Sequence, residues 1–128
     1  MQTINVAFLS DKALDYAVAI SRGYKTANKD PDLGWRFLLK EGDRLGSTLD
    51  SLPYSTSPTL GYAVLEEHRI SLEWHPNLSG EGWSVKAVKV NPDGHLFIGY
   101  GDTPLKAGLR CFVSMVLGDT VSIPDALL

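Results

Sequence analysis

The stretch running from Trp83 to Leu117 constrains this chain more than any other, because two strong local stop-and-start signals fall inside it. Asn91-Pro92-Asp93-Gly94 is turn chemistry: proline presets φ, Asn and Asp bond their own backbone, and glycine accepts positive φ. Before it, Trp83, Val85 and Ala87 alternate, with a change of phase near Val88 and Val90 of the kind a bulge makes. After it, Leu96, Ile98 and Tyr100 alternate with His95, Phe97 and Gly99. Residues 83–100 are therefore predicted to pair as an antiparallel hairpin. Thr103 then caps a helix whose first residue is Pro104, where a missing N–H costs nothing. Leu105, Leu109, Phe112, Val113 and Val116 fall on one stripe of that helix, and Gly118 ends it. Thr120 to Ile123 reads as a last strand stopped by Pro124.

The same reasoning applied upstream predicts a strand over 3–9, with Ile4, Val6 and Phe8 on one side. A helix capped by Ser10 follows, with Ala13, Leu14, Ala17, Val18 and Ile20 inward, Lys12, Asp15 and Arg22 outward, and Gly23 as the stop. Residues 24–60 read mostly as loop, broken by a short strand at Trp35–Leu39 with Trp35, Phe37 and Leu39 inward. Tyr62 to His68 suggests two turns of helix, and Ile70, Leu72 and Trp74 alternate as a half-buried strand. Hairpins in place of regular strand–helix alternation point to an α+β fold, a mostly antiparallel sheet with helices packed on one face, in a single compact domain over 1–128. A chain of 128 residues buries roughly two-thirds of its unfolded surface, so one core suffices.

Charge and cysteine usage narrow the function classes. Twelve Lys and Arg against fifteen Asp and Glu give a net charge of −3, with the signs interspersed, which disfavours a nucleic-acid binder that relies on phosphate contacts. Cys111 is the sole cysteine, so no intrachain disulfide and no multi-thiolate zinc site is available, and a reducing, cytoplasmic setting is expected. No apolar run is long enough to span a membrane, and the first residues lack a secretory pattern.

The candidate chemistries are few. Glu66, Glu67, His68, Glu73 and His75 concentrate ligand and acid–base groups, with Glu73 and His75 on one strand face. No third group converges by spacing, so a solvated face is expected, with no metal and no cofactor. Gly99-Tyr100-Gly101-Asp102-Thr103-Pro104 joins strand to helix where phosphates often bind, yet Pro104 removes a donor and Asp102 repels an anion. Cys111 lies on a helix flank without a partner base and reads as a small packing residue. Trp35, Trp74 and Trp83 with the tyrosines suggest a stacking platform, but interleaved cations are missing and core positions are expected.

Two blocks carry a resemblance: Ala13-Leu14-Asp15-Tyr16-Ala17-Val18-Ala19, and Gly101-Asp102-Thr103-Pro104-Leu105 with Arg110-Cys111-Phe112-Val113, Gly118-Asp119 and Ile123-Pro124-Asp125. In content and order the chain resembles the NinX-like proteins of lambdoid phages and prophages. Its centre departs from their pattern, with Thr59-Leu60-Gly61-Tyr62-Ala63-Val64-Leu65-Glu66 in place of a Thr-Asp-Trp and Gly-Gly-Pro-Ile-Ile-Glu run. The resemblance implies a small cytoplasmic protein of phage or prophage origin and brings no mechanism with it.

The expectation is a non-enzymatic interaction protein with an unidentified protein partner and an open oligomeric state. Its alternatives are a nucleic-acid-associated accessory factor and, behind that, a small enzyme using Glu66, Glu73 or His75. The expected partner surface joins the 54–62 segment to the turn before the last helix, through Tyr54, Tyr62, Tyr100 and Asp102, because tyrosine offers contact area with little side-chain entropy to lose.

Overall fold

A computed structural model describes residues 1–27, 34–42, 45–77, 80 and 82–128. Among the described residues eight strands and three α-helices follow in the order β1 (Gln2–Asn5), α1 (Asp11–Ser21), β2 (Lys25–Thr26), β3 (Phe37–Leu39), β4 (Ser47–Thr48), α2 (Pro58–Glu67), β5 (Ser71–Pro76), β6 (Trp83–Val90), β7 (Leu96–Gly101), α3 (Pro104–Leu117) and β8 (Thr120–Ile123). The fold is α+β, and every strand pair is antiparallel. The strands are shared among three sheets, β1-β8, β2-β3-β4 and β5-β6-β7. No helix among the described residues is long and apolar enough to cross a membrane.

The hairpin and helix at the centre of the sequence argument are both present. Gly94, at φ 89°, closes the turn by donating its N–H to the Asn91 carbonyl at 2.9 Å, and Asn91 donates to His95 at 2.9 Å. Thr103 Oγ1 accepts from Lys106 N–H at 3.2 Å and so caps α3. The expected bulge is missing. Pairing runs unbroken from Val85 opposite Gly101 to Val90 opposite Leu96, so Val88 and Val90 project to the side opposite Val85 and Ala87. The change of phase in the sequence marks a strand apolar on both faces.

What lies over the inner face explains the choice of face. α3 packs directly on β7, where a Cβ on Gly99 would collide with the Ala107 carbonyl and the Cys111 backbone, and one on Gly101 with Ala107 N. Only glycine lets the two backbones approach this closely. Ala107 and Cys111 are consequently buried, a second covered face of α3 that its small side chains hide from a hydrophobic stripe, while Val116 in the expected stripe is exposed. Leu105, Leu109, Phe112 and Val113 are buried as expected.

Helices α1 and α2 complete the cover. Gly61 of α2 makes room for the Leu105 side chain, and Gly108 of α3 for Leu65. Helix α2 begins at Pro58, where Ser57 Oγ accepts from Leu60 N–H at 3.3 Å, four residues before the expected start. Ser10 stands at the start of α1 without a side-chain capping bond. Gly23 ends α1 as expected, with φ 97° and Tyr24 N–H reaching back to the Ala19 carbonyl at 3.0 Å. Asp15, expected outward, is buried because the 53–56 segment folds over it and Ser55 N–H donates to its Oδ1 at 2.7 Å.

Two further expectations change. The strand over 3–9 stops at Asn5, and residues 6–8 form a 3-10 turn that leaves Phe8 exposed. The stretch 24–60, read as loop apart from the strand at Trp35–Leu39, holds the β2-β3-β4 sheet; residues 28–33 and 43–44 of it lie outside the described residues. Trp35 belongs to a 3-10 turn over 34–36, so alternation begins only at Phe37, and Leu38, not Phe37 or Leu39, is buried.

Candidate functional site

Antiparallel register turns the outer face of β5-β6-β7 into a defined surface. Opposed pairs Val90–Leu96, Val88–Ile98 and Lys86–Tyr100 share that face, and the row continues onto β5 as Ser71 beside Val88 and Glu73 beside Lys86. Leu96 and Tyr100 are more than half exposed, at 54% and 56%, as is Val90, and Ile98 is exposed too. The face is apolar toward the hairpin turn and charged toward β5, where His75 Nε2 lies 3.1 Å from Glu73 Oε2.

Around the free edge of β7 the surface dips into a hollow of about 180 Å³, lined by residues 5–7 and 98–100 together with Arg110, Ser114 and Asp119. Arg110 is held there by two backbone carbonyls, donating from Nε to Leu9 and from Nη1 to Tyr100, each at 2.8 Å. Burial lowers the guanidinium pKa from its ordinary value, against the pull of the Asp102 charge. Asp102 itself is exposed and pairs with Lys106 Nζ at 3.4 Å.

The residues expected to form a partner surface do not gather. Tyr54 is 1% exposed, and its hydroxyl accepts from Arg22 Nη1 at 3.1 Å inside the core. Tyr62 is exposed on α2 and lines a hollow with Leu72 of β5, while Tyr100 and Asp102 lie at β7, the opposite edge of the sheet. Only Tyr100 and Asp102 remain neighbours.

The acid–base group is dispersed in the same way. Glu73 and His75 share the outer face as expected, Glu67 pairs with Arg22 at 3.8 Å, and the His68 ring packs on Phe112 at 4.6 Å between centroids. Glu66 lines the α2–β5 hollow. Among the described residues no three His, Cys, Asp or Glu are placed to hold a metal ion. Cys111 is fully buried, its Sγ donating to the Phe97 carbonyl at 3.5 Å, and burial pushes its thiol up to about 11. Trp74 and Trp83, expected in the core, are each 61% exposed, diagonal neighbours on the helix-side face of β5 and β6.

Residues 5–116 match the family described as Bacteriophage P22, NinX. The chain belongs to the NinX family. No curated protein matches it. The NinX match includes the outer face, Arg110 and the Asp15 block, and ends in the last turn of α3, before the Gly118–Pro124 block. Arg110 stands inside the Arg110-Cys111-Phe112-Val113 block, yet its place in the hollow has no local signal there, because its anchor at Leu9 lies 101 residues away in the sequence.

Proposed function

We propose that this phage-type protein works by recognising a protein partner across the outer face of β5-β6-β7, without catalysing a reaction. One observation carries the reading: Val88, Val90, Leu96, Ile98 and Tyr100 stand in register on one face, turned away from the core. A contiguous apolar patch on a sheet held from behind by a helix is the kind of surface that gains free energy on association, at about 25 cal/mol per Å² of apolar area covered. Tyr100 contributes a rigid ring with a hydroxyl for the polar rim. In this reading the protein acts in the cytoplasm as one domain, which the lone buried Cys111 supports.

The test is a pull-down from host lysate with the wild type and with a Leu96→Lys/Ile98→Glu double variant, each run with and without nuclease. Capture that survives nuclease and disappears in the double variant is expected. Capture abolished by nuclease alone would move the protein to the nucleic-acid-associated class, and capture unaffected by the double variant would remove the outer face from consideration.

A further inference from the structure

We propose that the hollow at the free edge of β7 is a carboxylate site, which takes the C-terminal carboxylate of an extended partner segment on the guanidinium of Arg110. The inference deepens the outer-face reading and rests on it.

Three observations converge on this hollow. First, Arg110 is held in place with N–H donors to spare. Its Nε and one Nη1 hydrogen are spent on the Leu9 and Tyr100 carbonyls, no ion pair of the described residues includes it, and the nearby Asp102 is taken by Lys106. An arginine carries five N–H donors in a rigid fork that matches a carboxylate, so donors remain. Two backbone anchors have already removed much of the rotamer freedom that a ligand would otherwise have to restrict.

Second, the wall of the hollow is an open strand edge. Among the described residues β7 pairs only with β6. The Tyr100 carbonyl reaches Arg110, away from β6, and the alternation of an antiparallel ladder carries the N–H and C=O of Ile98 to that same side. An extended segment can bond there and lay alternate side chains beside Leu96 and Ile98, in the manner of strand addition. Residues 5–7 line the same hollow and are tied in place, with Val6 N–H donating to the Asp119 carbonyl at 2.8 Å and Ala7 N–H to Asn5 Oδ1 at 2.9 Å. A strand added parallel to β7, running in the direction from Leu96 to Tyr100, meets this segment at its C-terminal end, which brings its terminal carboxylate to Arg110.

Third, the charge around the site selects the ligand class. Asp119 also lines the hollow and the Asp102 charge acts on Arg110 through space, so acidic residues stand near the site and repel a dianion more strongly than a monoanion. A singly charged, planar carboxylate suits this balance, and a phosphate dianion does not.

The experiment titrates the isotope-labelled full chain with acetyl-Thr-Val-Thr-Val bearing a free C-terminus, with the same peptide as its C-terminal amide, and with inorganic phosphate. The readouts are the amide resonances of Ile98 and Gly99 and the Arg110 Nε–H. The free acid is expected to bind at least about tenfold more tightly than the amide, with phosphate weaker than the acid, and Arg110→Gln is expected to erase the acid–amide difference. Equal binding of acid and amide overturns the carboxylate site and leaves the outer-face reading standing. So does a complete lack of shifts with the acid up to about 10 mM. Phosphate binding as tightly as the acid overturns the ligand class. Should Arg110→Gln fail to fold, the acid–amide ratio on the wild type decides the matter. An acid preference that persists in the Leu96→Lys/Ile98→Glu variant while protein capture is unchanged supports the hollow and sinks the outer face.

Discussion

Burial decides the behaviour of individual side chains here. The Cys111 thiol is enclosed between α3 and β7 and pushed up to about 11, so the thiolate that reagents attack is scarce at neutral pH and sterically shielded. Iodoacetamide at pH 8 is expected to leave native Cys111 unmodified and to alkylate it fully in guanidinium chloride, as read by intact mass. Asp15 behaves in the opposite way to a typical ion-paired carboxylate. Burial raises its pKa above 3.8, partly offset by the hydrogen bonds from Ser55. The folded state therefore holds the proton more tightly than the unfolded chain. The stabilisation from protonated Asp15 is present in full below 3.8 and is lost as pH rises through the raised folded value. Asn at this position keeps an oxygen for Ser55 N–H without burying a charge. Asp15→Asn should match or exceed the wild-type Tm at pH 7 and flatten its decline between mildly acidic and neutral pH. Asp15→Leu orphans the Ser55 N–H and should cost about 1–3 kcal/mol, both effects being read by thermal unfolding across pH.

At the scale of elements, close approach is the organising device. Helices α2 and α3 interlock through two notches, Leu105 over Gly61 and Leu65 over Gly108, and α3 lies on β7 through Gly99 and Gly101. Gly108→Ala presses on a flexible leucine and should cost about 1–3 kcal/mol in denaturant unfolding. Gly99→Ala presses on the α3 backbone, which cannot swing aside, and should cost more than Gly108→Ala. Phe112→Ala should cost about 3–5 kcal/mol, since the ring is 1% exposed. These contacts also show which parts of the fold the sequence displays. The 83–100 hairpin and the last helix were legible because Asn91–Gly94 and Thr103-Pro104 act on their own neighbours. Ser57-Pro58 is the same cap signal for α2 and escaped reading because Gly61 interrupts the helical pattern that follows. Strands as short as Lys25–Thr26 and Ser47–Thr48 carry no alternation to read. The apolar row Leu96, Ile98, Tyr100 was visible, but its exposure follows from a helix resting on the smaller residues Gly99 and Gly101, a contact between separate elements. The Arg110 hollow draws on residues near 5, 98 and 110 and leaves no local trace.

For the molecule as a whole, the outer face and the core are separable. Leu96 and Ile98 project away from α3, so Leu96→Lys/Ile98→Glu is expected to shift stability by about 1 kcal/mol or less, as surface changes usually do, while removing partner capture. Calorimetry on the double variant checks the first half and the pull-down the second. The β1–β8 pairing, Gln2–Asn5 against Thr120–Ile123, has a different consequence, one set by the order of synthesis. A ribosome delivers Gln2–Asn5 well before Thr120–Ile123, and the strand that completes its backbone hydrogen bonds emerges only after α1, α2 and α3 have been made. Throughout elongation β1 is an unpaired edge on a nascent chain, and its length of four residues limits how readily it can recruit a wrong partner in the interval.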